Sequence, residues 1–298
     1  MSSLAGKRLV IFGCGYVGTA LARAALAAGA KVEALTRNPA KAAALRRTGL
    51  AQVVVADLAS PDWHGQIAGG ADFAVNCVSS GGPDTYRQTY VGGMASILAW
   101  AARSAAPVGT LVYTSSTSVY PQGGGATVVE TDSTDGTTPS GAIIRESEIL
   151  LQSAPPAVVR RHFILRLAGI YGPERHRLLD RLRAGSSQLG GAGDHRLNLA
   201  HRDDTVTGIL ACLGAPAAIG SEIFNVADSA PAPRTEVVRW LAKKLGRPMP
   251  AFDGSLAARR GGAPMPDRII SNAKIRRVLG WRPLYPDYRV GFGNILSP

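Results

Sequence analysis

The sequence predicts a doubly wound α/β fold, in which helices cover both faces of a parallel sheet. Short runs rich in Val, Ile and Leu alternate with stretches of helical character, and these runs are almost continuously apolar, as strands buried on both faces are. A Gly-rich turn also stands between the first apolar run and the first helix. Right-handed crossovers between such strands place the ligand site at their carboxyl ends.

The Gly-rich turn at 13–18 has the pattern G-x-G-x-x-G. Gly13 permits a tight turn, Gly15 lets the backbone approach a pyrophosphate, and Gly18 lets the helix pack on the strand. The N terminus of the following helix supplies free N–H groups and the positive end of its dipole. Any helix-opening turn can show this pattern, but a second apolar run at 31–36 follows at the expected distance, which favours a dinucleotide site.

The first half of the chain alternates strands with helices. The predicted strands lie at 8–12, 31–36, 52–56, 73–78, 109–115 and 162–167. The predicted helices lie at 18–28, 39–48, 85–105 and 144–151. The Gly-rich segment 123–125 and the segment 131–140, rich in Ser, Thr and Asp, are predicted to be surface loops near the ligand-binding edge.

After residue 172 the pattern is looser. Helices are predicted at 178–184, 203–213, 235–245 and 272–279, a strand at 222–226 and a turn at 190–193. We interpret this half as a smaller lobe that closes over the ligand cleft, without repeats or low-complexity linkers.

The composition argues against several classes of protein. No run approaches the roughly 18 apolar residues of a membrane span, and no targeting segment precedes the first strand, so we expect a cytoplasmic protein that does not bind membranes. The cysteines, Cys14, Cys77 and Cys212, lack metal-ligand spacing, and no metal is expected. The net charge of +12 does not indicate nucleic-acid binding, because the arginines are scattered and no basic tail is present. It reflects either an Arg-rich composition or a positive cleft for a phosphorylated cofactor and an anionic substrate.

Four motifs carry a resemblance to a known family. They are Y-T-S-S-T-S-V-Y at 113–120, L-R-L-A-G-I-Y-G-P at 165–173, N-L-A-H-R-D-D at 198–204 and F-N-V-A-D at 224–228. With them the chain resembles the extended short-chain dehydrogenases/reductases and, within these, the NAD-dependent epimerase/dehydratase family. The ending from 271 to 289 resembles the atypical members of this group, so the resemblance covers nearly the whole chain.

The resemblance implies an NAD(P)-binding Rossmann fold with a smaller C-terminal substrate lobe. In that arrangement residues 1–172 form the NAD(P)-binding domain and residues 173–298 the substrate-side lobe, with 197–228 returning to the Rossmann core. The helices at 85–105 and 144–151 resemble the pair through which family members often dimerise, which implies a homodimer.

The candidate cofactor-binding residues lie at the ends of the predicted strands. Asp57 can accept a hydrogen bond from an adenine amino group, and Leu58 can wall the ring, although Asp57 also suits a turn or cap. The small residues at 77–79 suit close approach of ribose and pyrophosphate, although a strand that ends in a Ser turn would look the same. The full expected set is Gly13, Gly15, Tyr16, Val17, Gly18, Thr36, Arg37, Asp57, Leu58, Cys77, Val78, Ser79, Thr114 and Leu167.

The end of the second strand bears on the choice of cofactor. An acidic residue about 20 positions after the glycines would bind the ribose hydroxyls and select NAD. Thr36 and Arg37 stand there instead, and Glu33 lies inside the strand. A hydroxyl and a guanidinium suit the 2′-phosphate of NADP through charge-assisted hydrogen bonds. We therefore expect NADP, with NAD as the second choice; the alternative is that Arg37 is an ordinary solvated arginine.

The catalytic motif implied by the resemblance is broken. The family pattern Pro-Tyr-Gly-x-Ser-Lys, with a Glu four positions later, falls on 139–144 and Glu148. Ser140 therefore replaces the Tyr and Ile144 replaces the Lys. A serine hydroxyl is a much weaker acid than an activated phenol, and isoleucine carries no charge.

Two hydroxyl residues remain as candidates for catalysis. Ser116 matches the family hydroxyl that hydrogen-bonds to the substrate oxygen, and it stands four residues before Tyr120. Tyr120 is the nearest remaining phenol, although this position also suits a wall or a substrate contact. We expect Ser116 and Tyr120 to be the catalytic residues.

The expected function follows from the resemblance. It is an NAD(P)-dependent oxidoreductase or epimerase that acts on a carbonyl or hydroxyl of a sugar-like or other small polar substrate. We expect this substrate to be anionic or a nucleotide-linked sugar. The alternative is a catalytically silent sensor or structural protein that keeps the cofactor site; a weaker alternative, nucleic-acid binding, would show steep salt dependence and no saturable nucleotide site.

Overall fold

The computed structural model describes residues 4–256 and 265–297, and within them seven parallel strands form one central sheet. The strands are β1 (Arg8–Phe12), β2 (Lys31–Thr36), β3 (Gln52–Val55), β4 (Phe73–Asn76), β5 (Val108–Ser116), β6 (Val159–Leu167) and β7 (Glu222–Val226). Their order across the sheet is β7-β6-β5-β4-β1-β2-β3. The strand order reverses between β1 and β4, and the carboxyl ends of these two strands therefore form the crevice in which a doubly wound sheet binds its ligand.

Helices cover both faces of this sheet, which confirms the predicted fold class. They are α1 (Tyr16–Ala27), α2 (Pro39–Arg46), α3 (Gly93–Ala102), α4 (Pro139–Gln152), α5 (Arg177–Arg183), α6 (Arg202–Leu213), α7 (Arg234–Lys244), α8 (Ala273–Leu279) and α9 (Tyr288–Leu296). Leu9 and Ile11 of β1 lie in a core with α1, α2 and α6, whereas Val10 and Phe12 lie in a second core with α3 and α4. This alternation arises because successive residues of a strand point to opposite faces.

Two helices of the first half differ from the sequence prediction. α4 begins at Pro139 rather than at 144, because Thr138 caps it: the Thr138 hydroxyl accepts the Gly141 N–H at 3.2 Å. The helix predicted over 85–105 is divided into a short turn at Pro83–Thr85, a wider π-type turn at Gln88–Gly92, and α3. Such widened turns are frequent at functional sites.

The second half contributes to short strand pairs outside the central sheet and has an apolar core of its own. The pairs are Gly169–Tyr171 with Leu199–His201, Ala126–Val128 with Arg268–Ile270, Gln188–Gly190 with Ala251–Asp253, and Arg196–Leu197 with Ala232–Pro233. The core includes Leu179, Val238, Leu241, Tyr288 and Phe292. It therefore joins α5, α7 and α9.

The sequence prediction placed no helix after 279, and α9 corrects it. This helix begins after Asp287, whose carboxylate accepts the N–H groups of Arg289 and Val290. Two glycines within α9, Gly291 and Gly293, weaken the helical signal in the sequence. Gly291 is needed by the packing, because a Cβ there would overlap the Tyr171 hydroxyl.

The C-terminal segment is tied to the loop that follows β5. Arg268 is buried and donates to the backbone carbonyls of Thr117 and Tyr120. The Asp204 carboxylate, at the start of α6, accepts the N–H groups of Leu284 and Tyr285. Burial raises the pKa of Asp204 to about 6, against the lowering effect of these two hydrogen bonds.

A buried ion pair joins β6 to α4. Arg166 and Glu148 have almost no exposed surface, and two hydrogen bonds of 3.0 and 2.8 Å connect the guanidinium to the carboxylate. The Ser115 hydroxyl of β5 donates to the same carboxylate at 2.6 Å. Burial disfavours the charged guanidinium, but the hydrogen bonds and charge of Glu148 outweigh it and raise the pKa of Arg166 above its usual value.

Glu148→Gln is expected to lower the free energy of unfolding by about 3–5 kcal/mol, because it leaves the buried guanidinium of Arg166 without its counter-charge. The matched control is Glu146→Gln on the same helix. It removes an exposed pair with Arg87 and is expected to cost about 0–1 kcal/mol. Urea unfolding followed by circular dichroism measures both values. Equal losses in the two variants would show that the Arg166–Glu148 pair has no special weight in the fold.

Candidate functional site

A cavity of about 510 Å³ lies at the carboxyl ends of the central strands. Its lining comes from the Gly-rich turn and from the residues that follow β2, β3, β4, β5 and β6. All the expected cofactor-binding residues except Gly18 line it: Gly13, Gly15, Tyr16, Val17, Thr36, Arg37, Asp57, Leu58, Cys77, Val78, Ser79, Thr114 and Leu167. The topology thus brings these residues together; that they bind a cofactor stays a prediction.

The three glycines of the turn meet different constraints. Gly13 has a φ of +79°, and a Cβ there would lie 2.6 Å from the Val78 backbone nitrogen. A Cβ at Gly18 would lie 2.8 Å from the Gly13 carbonyl oxygen, so Gly18 acts by letting α1 pack closely beneath the turn. At Gly15 the nearest atom to a Cβ is 3.8 Å away, and the residue lines the cavity. A side chain at Gly15 would therefore enter the space that a ligand needs.

The N terminus of α1 is available to an anion. Gly15 is its N-cap, and among the described residues no side chain makes a capping hydrogen bond to this helix. Its first turn contains no acidic residue. Uncapped N–H groups and the positive end of the helix dipole form an anion-binding site of the kind that receives a pyrophosphate.

Two cations lie at the end of the cavity formed by β2 and β3. Arg37 and Lys41 line the cavity, and neither has an ion pair with a carboxylate of residues 4–256 or 265–297. The Arg37 guanidinium reaches towards the loop after β4, where a Cβ at Gly81 would lie 3.4 Å from Nη2. Asp57 lines the cavity too, and its Oδ1 accepts the Ala59 N–H at 2.9 Å. Asp57 thus caps a turn, which is the alternative role expected from the sequence, and its Oδ2 takes no part in the hydrogen bond with Ala59.

The sequence reasoning missed Lys41 and Asn38 in this part of the lining. Asn38 caps α2, since its side chain accepts the Lys41 N–H at 3.0 Å. This cap places Lys41 in the first turn of α2, beside the cavity. The signal was present in the sequence, because Asn followed by Pro is a typical helix start and the lysine stands three residues later.

At the β5 end, Ser116 has a hydroxyl ready to donate. Ser116 lines the cavity, and its oxygen accepts the Ser118 N–H at 3.1 Å. Within the described part of the chain, no acceptor is recorded for its hydroxyl hydrogen. The neighbouring Thr114 hydroxyl donates to the Asn76 carbonyl at 3.0 Å and is thereby held in place. Ser116 can thus donate a hydrogen bond to a ligand oxygen without breaking a bond inside the protein.

Tyr120 does not have the place expected of a catalytic phenol. Its hydroxyl is buried, donates to Asn225 Oδ1 at 2.8 Å and accepts from Arg166 Nη1 at 2.9 Å. Burial raises the pKa of the phenol, against the lowering effect of Arg166. Tyr120 is not among the residues that line the cavity. Its hydroxyl belongs to the buried network around Arg166, and the catalytic role expected of Tyr120 stays a prediction.

Ser140 and Ile144, which stand where the family pattern would place Tyr and Lys, are not among the described residues that line the cavity. Ser140 is exposed, and its hydroxyl is 3.2 Å from that of Thr138. Ile144 is buried in an apolar cluster with Tyr120 and Ala168. Neither Ser140 nor Ile144 supplies an acid or a charge to the ligand site.

Three further lining residues lie outside the set of cofactor-binding residues expected from the sequence. Thr89 and Tyr90 come from the π-type turn, inside what the sequence predicts as one regular helix. Arg175 lies with its guanidinium 5.4 Å from the centroid of the Tyr16 ring, and Arg202 lies at the same distance. Arg175 lines the cavity beside the Gly-rich turn and adds a third cation there.

The described residues contain no arranged metal site. No group of three or more His, Cys, Asp or Glu side chains in that part of the chain is placed to hold a metal ion. Burial raises the pKa of the Cys14 thiol to about 11 and that of Cys77 further, so both are poor nucleophiles and ligands. Among the helices of the described residues, none combines the length and apolar character needed to cross a bilayer.

The sheet order, the Gly-rich turn at a helix N terminus and the cavity at the strand ends together define a Rossmann-type dinucleotide-binding protein. Residues 9–227 match the model of the NAD dependent epimerase/dehydratase family, and the chain belongs to that family. This match confirms the resemblance carried by the sequence motifs.

Individual proteins share parts of the chain or its fold. Protein YeeZ of Escherichia coli (strain K12) is 36% identical over 177 residues, which are 59% of this chain and 59% of YeeZ. The 3-diazoavenalumate denitrifying reductase of Streptomyces sp is 30% identical over 142 residues, 44% of this chain and 46% of that protein. The matched part thus spans less than two thirds of either relative. MoeE5 in complex with UDP-glucuronic acid and NAD has a TM-score of 0.80 at 21% identity, with 96% of each chain covered, and shares the fold.

Gly15→Asp is expected to abolish dinucleotide binding, because it places a carboxylate in the open space beside the N terminus of α1, where a pyrophosphate would lie. Calorimetric titration with NADPH measures the loss, and circular dichroism checks the fold. Gly65→Asp, at an exposed glycine with no atom near its Cβ position, is the matched control and should bind like the wild type. Unchanged affinity in a folded Gly15→Asp variant would remove the site from this turn.

Proposed function

We propose that this protein is an NADP(H)-dependent oxidoreductase or epimerase that acts on a carbonyl or hydroxyl group of a sugar-like or other small polar molecule. The observation that carries the proposal is the single cavity that joins the Gly-rich turn, two cations at the β2 end and the Ser116 hydroxyl at the β5 end. Membership of the NAD dependent epimerase/dehydratase family supports it. We also propose that the cavity-lining residues predicted from the sequence hold the cofactor.

The residues present fit a dinucleotide that carries a 2′-phosphate. Gly15 leaves room beside the uncapped N terminus of α1, which suits the pyrophosphate. Arg37, Lys41 and the Thr36 hydroxyl line the β2 end, which suits a phosphate on the adenosine ribose. An NAD-selective site would have a carboxylate at the end of β2, and this chain has none there. NADP is therefore the preferred cofactor in this proposal, with NAD second.

The bound cofactor would supply or accept a hydride, and the chain's own residues would hold the reacting group. Ser116 would donate its free hydroxyl hydrogen to the substrate oxygen and so favour negative charge developing there. Leu167 and Ala168 line the same end and would exclude water from one side. Ser140 and Ile144 lie elsewhere, so any proton transfer must use a group other than the pair expected from the family pattern.

The charge of the cavity supports an anionic substrate. Its cations are Arg37, Lys41 and Arg175, and Asp57 is the one carboxylate among the described lining residues. Arg175 stands apart from the β2 end, stacked on Tyr16, and could bind a phosphate or carboxylate of the substrate. MoeE5, which shares the fold, binds UDP-glucuronic acid and NAD. We propose by analogy a nucleotide-linked or other anionic sugar for this chain.

The second candidate function is a silent nucleotide-binding sensor or structural protein. The observation that favours it is the loss of both the Tyr and the Lys from α4. The experiment that separates the two functions combines calorimetry with NADPH and a turnover assay with carbonyl substrates. Saturable NADPH binding with turnover supports the enzyme, whereas binding without turnover supports the sensor.

The domain division and the homodimer remain proposals. We propose that residues 1–172 bind the cofactor and 173–298 the substrate, with 197–228 belonging to the first unit. β7 in the central sheet and α6 packed against α1 support the assignment of 197–228. Light scattering tests the dimer: a mass of one chain would contradict it.

Arg37→Ala is expected to weaken NADPH binding much more than NADH binding, because a lost charge-assisted contact costs about 1.5–3 kcal/mol, or about tenfold or more in affinity. Calorimetry with the two cofactors measures the ratio. Arg47→Ala, at an exposed arginine that follows α2 and does not line the cavity, is the matched control. An equal loss for both cofactors, or a wild-type preference for NADH, contradicts the assignment of Arg37.

Ser116→Ala should reduce the rate more than Ser140→Ala, because only Ser116 lines the cavity with a hydroxyl hydrogen to donate. Positioned groups of this kind contribute about 10²–10⁴-fold in rate. Ser140→Ala is the matched control and should stay within about twofold of the wild type. Steady-state kinetics with a carbonyl compound that the wild type reduces measures the rates of both variants. The reverse order would show that the alignment of 139–144 with the family motif is wrong.

A further inference from the structure

The cavity wall still contains phenols, although the expected catalytic Tyr is missing. Two tyrosines, Tyr16 and Tyr90, are among the described lining residues. The Tyr16 hydroxyl donates to the Pro173 carbonyl at 2.8 Å, beside the Gly-rich turn. Its hydrogen is thus engaged, and it lies at the pyrophosphate part of the site. Tyr90 is the phenol that remains.

We propose that Tyr90 donates the proton to the substrate oxygen during carbonyl reduction, in place of the missing Tyr on α4. This inference rests on the proposed function, because it assumes that the cavity binds a reduced dinucleotide and a carbonyl. The observation that supports this inference is that the Tyr90 phenol, from the π-type turn, lines the same cavity as Ser116.

The position of the Tyr90 hydroxyl is the first support. Its oxygen accepts the Ser80 N–H at 3.4 Å, directly after the cavity-lining residues 77–79 at the end of β4. β4 is hydrogen-bonded to β5, whose last residue is Ser116. The phenol therefore reaches the β4–β5 edge of the cavity, where Ser116 also lies. Because its oxygen accepts from Ser80, and no described residue is recorded as accepting its hydrogen, the O–H group can point to a ligand.

The way in which Tyr90 is held is the second support. Its ring contacts that of Tyr86, with centroids 4.6 Å apart, and packs against the apolar cluster that contains Ile144 and Ala168. The Tyr90 carbonyl accepts the Ser147 hydroxyl of α4 at 3.0 Å. Ile144, which stands where the family pattern has Lys, thus belongs to the surface on which the ring packs. A lysine there would bring a charge into this cluster.

The proposed step uses ordinary acid catalysis. The Tyr90 O–H bond breaks, and its proton forms the new O–H bond of the product alcohol. A bound reduced nicotinamide dinucleotide would supply the hydride of the new C–H bond and would itself be oxidised. The phenolate then regains a proton from water. Ser116 donates a hydrogen bond to the same substrate oxygen and keeps its own proton.

The test compares Tyr90→Phe with the wild type. The wild type is first titrated with NADPH and then assayed with a dTDP-linked keto sugar, dihydroxyacetone phosphate and a nitrobenzaldehyde. Tyr90→Phe is expected to lower kcat about 10²–10⁴-fold on any substrate that is turned over. NADPH affinity and KM should stay within about threefold, since the ring remains. The alkaline decline of kcat in the wild type should disappear in Tyr90→Phe, a change that loss of packing alone would not produce.

Tyr86→Phe is the matched control, because Tyr86 contacts Tyr90 and does not line the cavity. It should keep the wild-type kcat and pH profile. A Tyr90→Phe variant with at least half of the wild-type kcat, or an equal loss in Tyr86→Phe, overturns the role of Tyr90 and leaves the proposed function intact. A wild type that fails to bind NADPH, or binds it and reduces none of the three compounds, overturns the proposed function and the role of Tyr90 together.

Discussion

The buried pair between Arg166 and Glu148 is the interaction on which the β5 side of the site depends. It joins β6 to α4, and the Ser115 hydroxyl ties β5 to the same carboxylate. Burial of two charges away from water is costly unless each is paired and hydrogen-bonded. This requirement fixes the positions of β5, β6 and α4 relative to one another. Ser116 follows Ser115 in β5 and is thereby positioned in the cavity wall. The same guanidinium donates to the Tyr120 hydroxyl, which is thereby held in this buried network.

The same pair accounts for the position of α4, the helix on which the family pattern expected from the sequence falls. Pro139 starts this helix, and Glu148 ties it to β6. Between them, Ser140 faces solvent and Ile144 joins an apolar cluster. This helix supplies the counter-charge for Arg166, whatever group performs catalysis. The cavity also has a Gly-rich turn in which a Cβ at Gly13 or Gly18 would overlap the backbone.

Periodicity and the Gly-rich motif were sufficient to predict the parallel sheet and the edge of it at which the cavity lies. These two signals depend on local composition. The carboxyl ends of parallel strands meet at one edge of the sheet whatever the conformation of the loops. Other features depend on contacts between distant residues. Nothing near Tyr120 in the sequence shows that Asn225 and Arg166 occupy its hydroxyl. The π-type turn that exposes Tyr90 resembles a regular helix in sequence, and the glycines of α9 hide a helix that tertiary packing stabilises.

The charges around the reacting end favour one of the two activities within the proposed function. An epimerase must both oxidise and reduce, and the oxidising half needs a base that accepts the hydroxyl proton. Such a base is normally a phenol whose ionised form a nearby ammonium favours, and the described lining has Lys41 only at the far, β2 end. With the proposed donors Ser116 and Tyr90, the cavity would suit reduction of a carbonyl better than epimerisation.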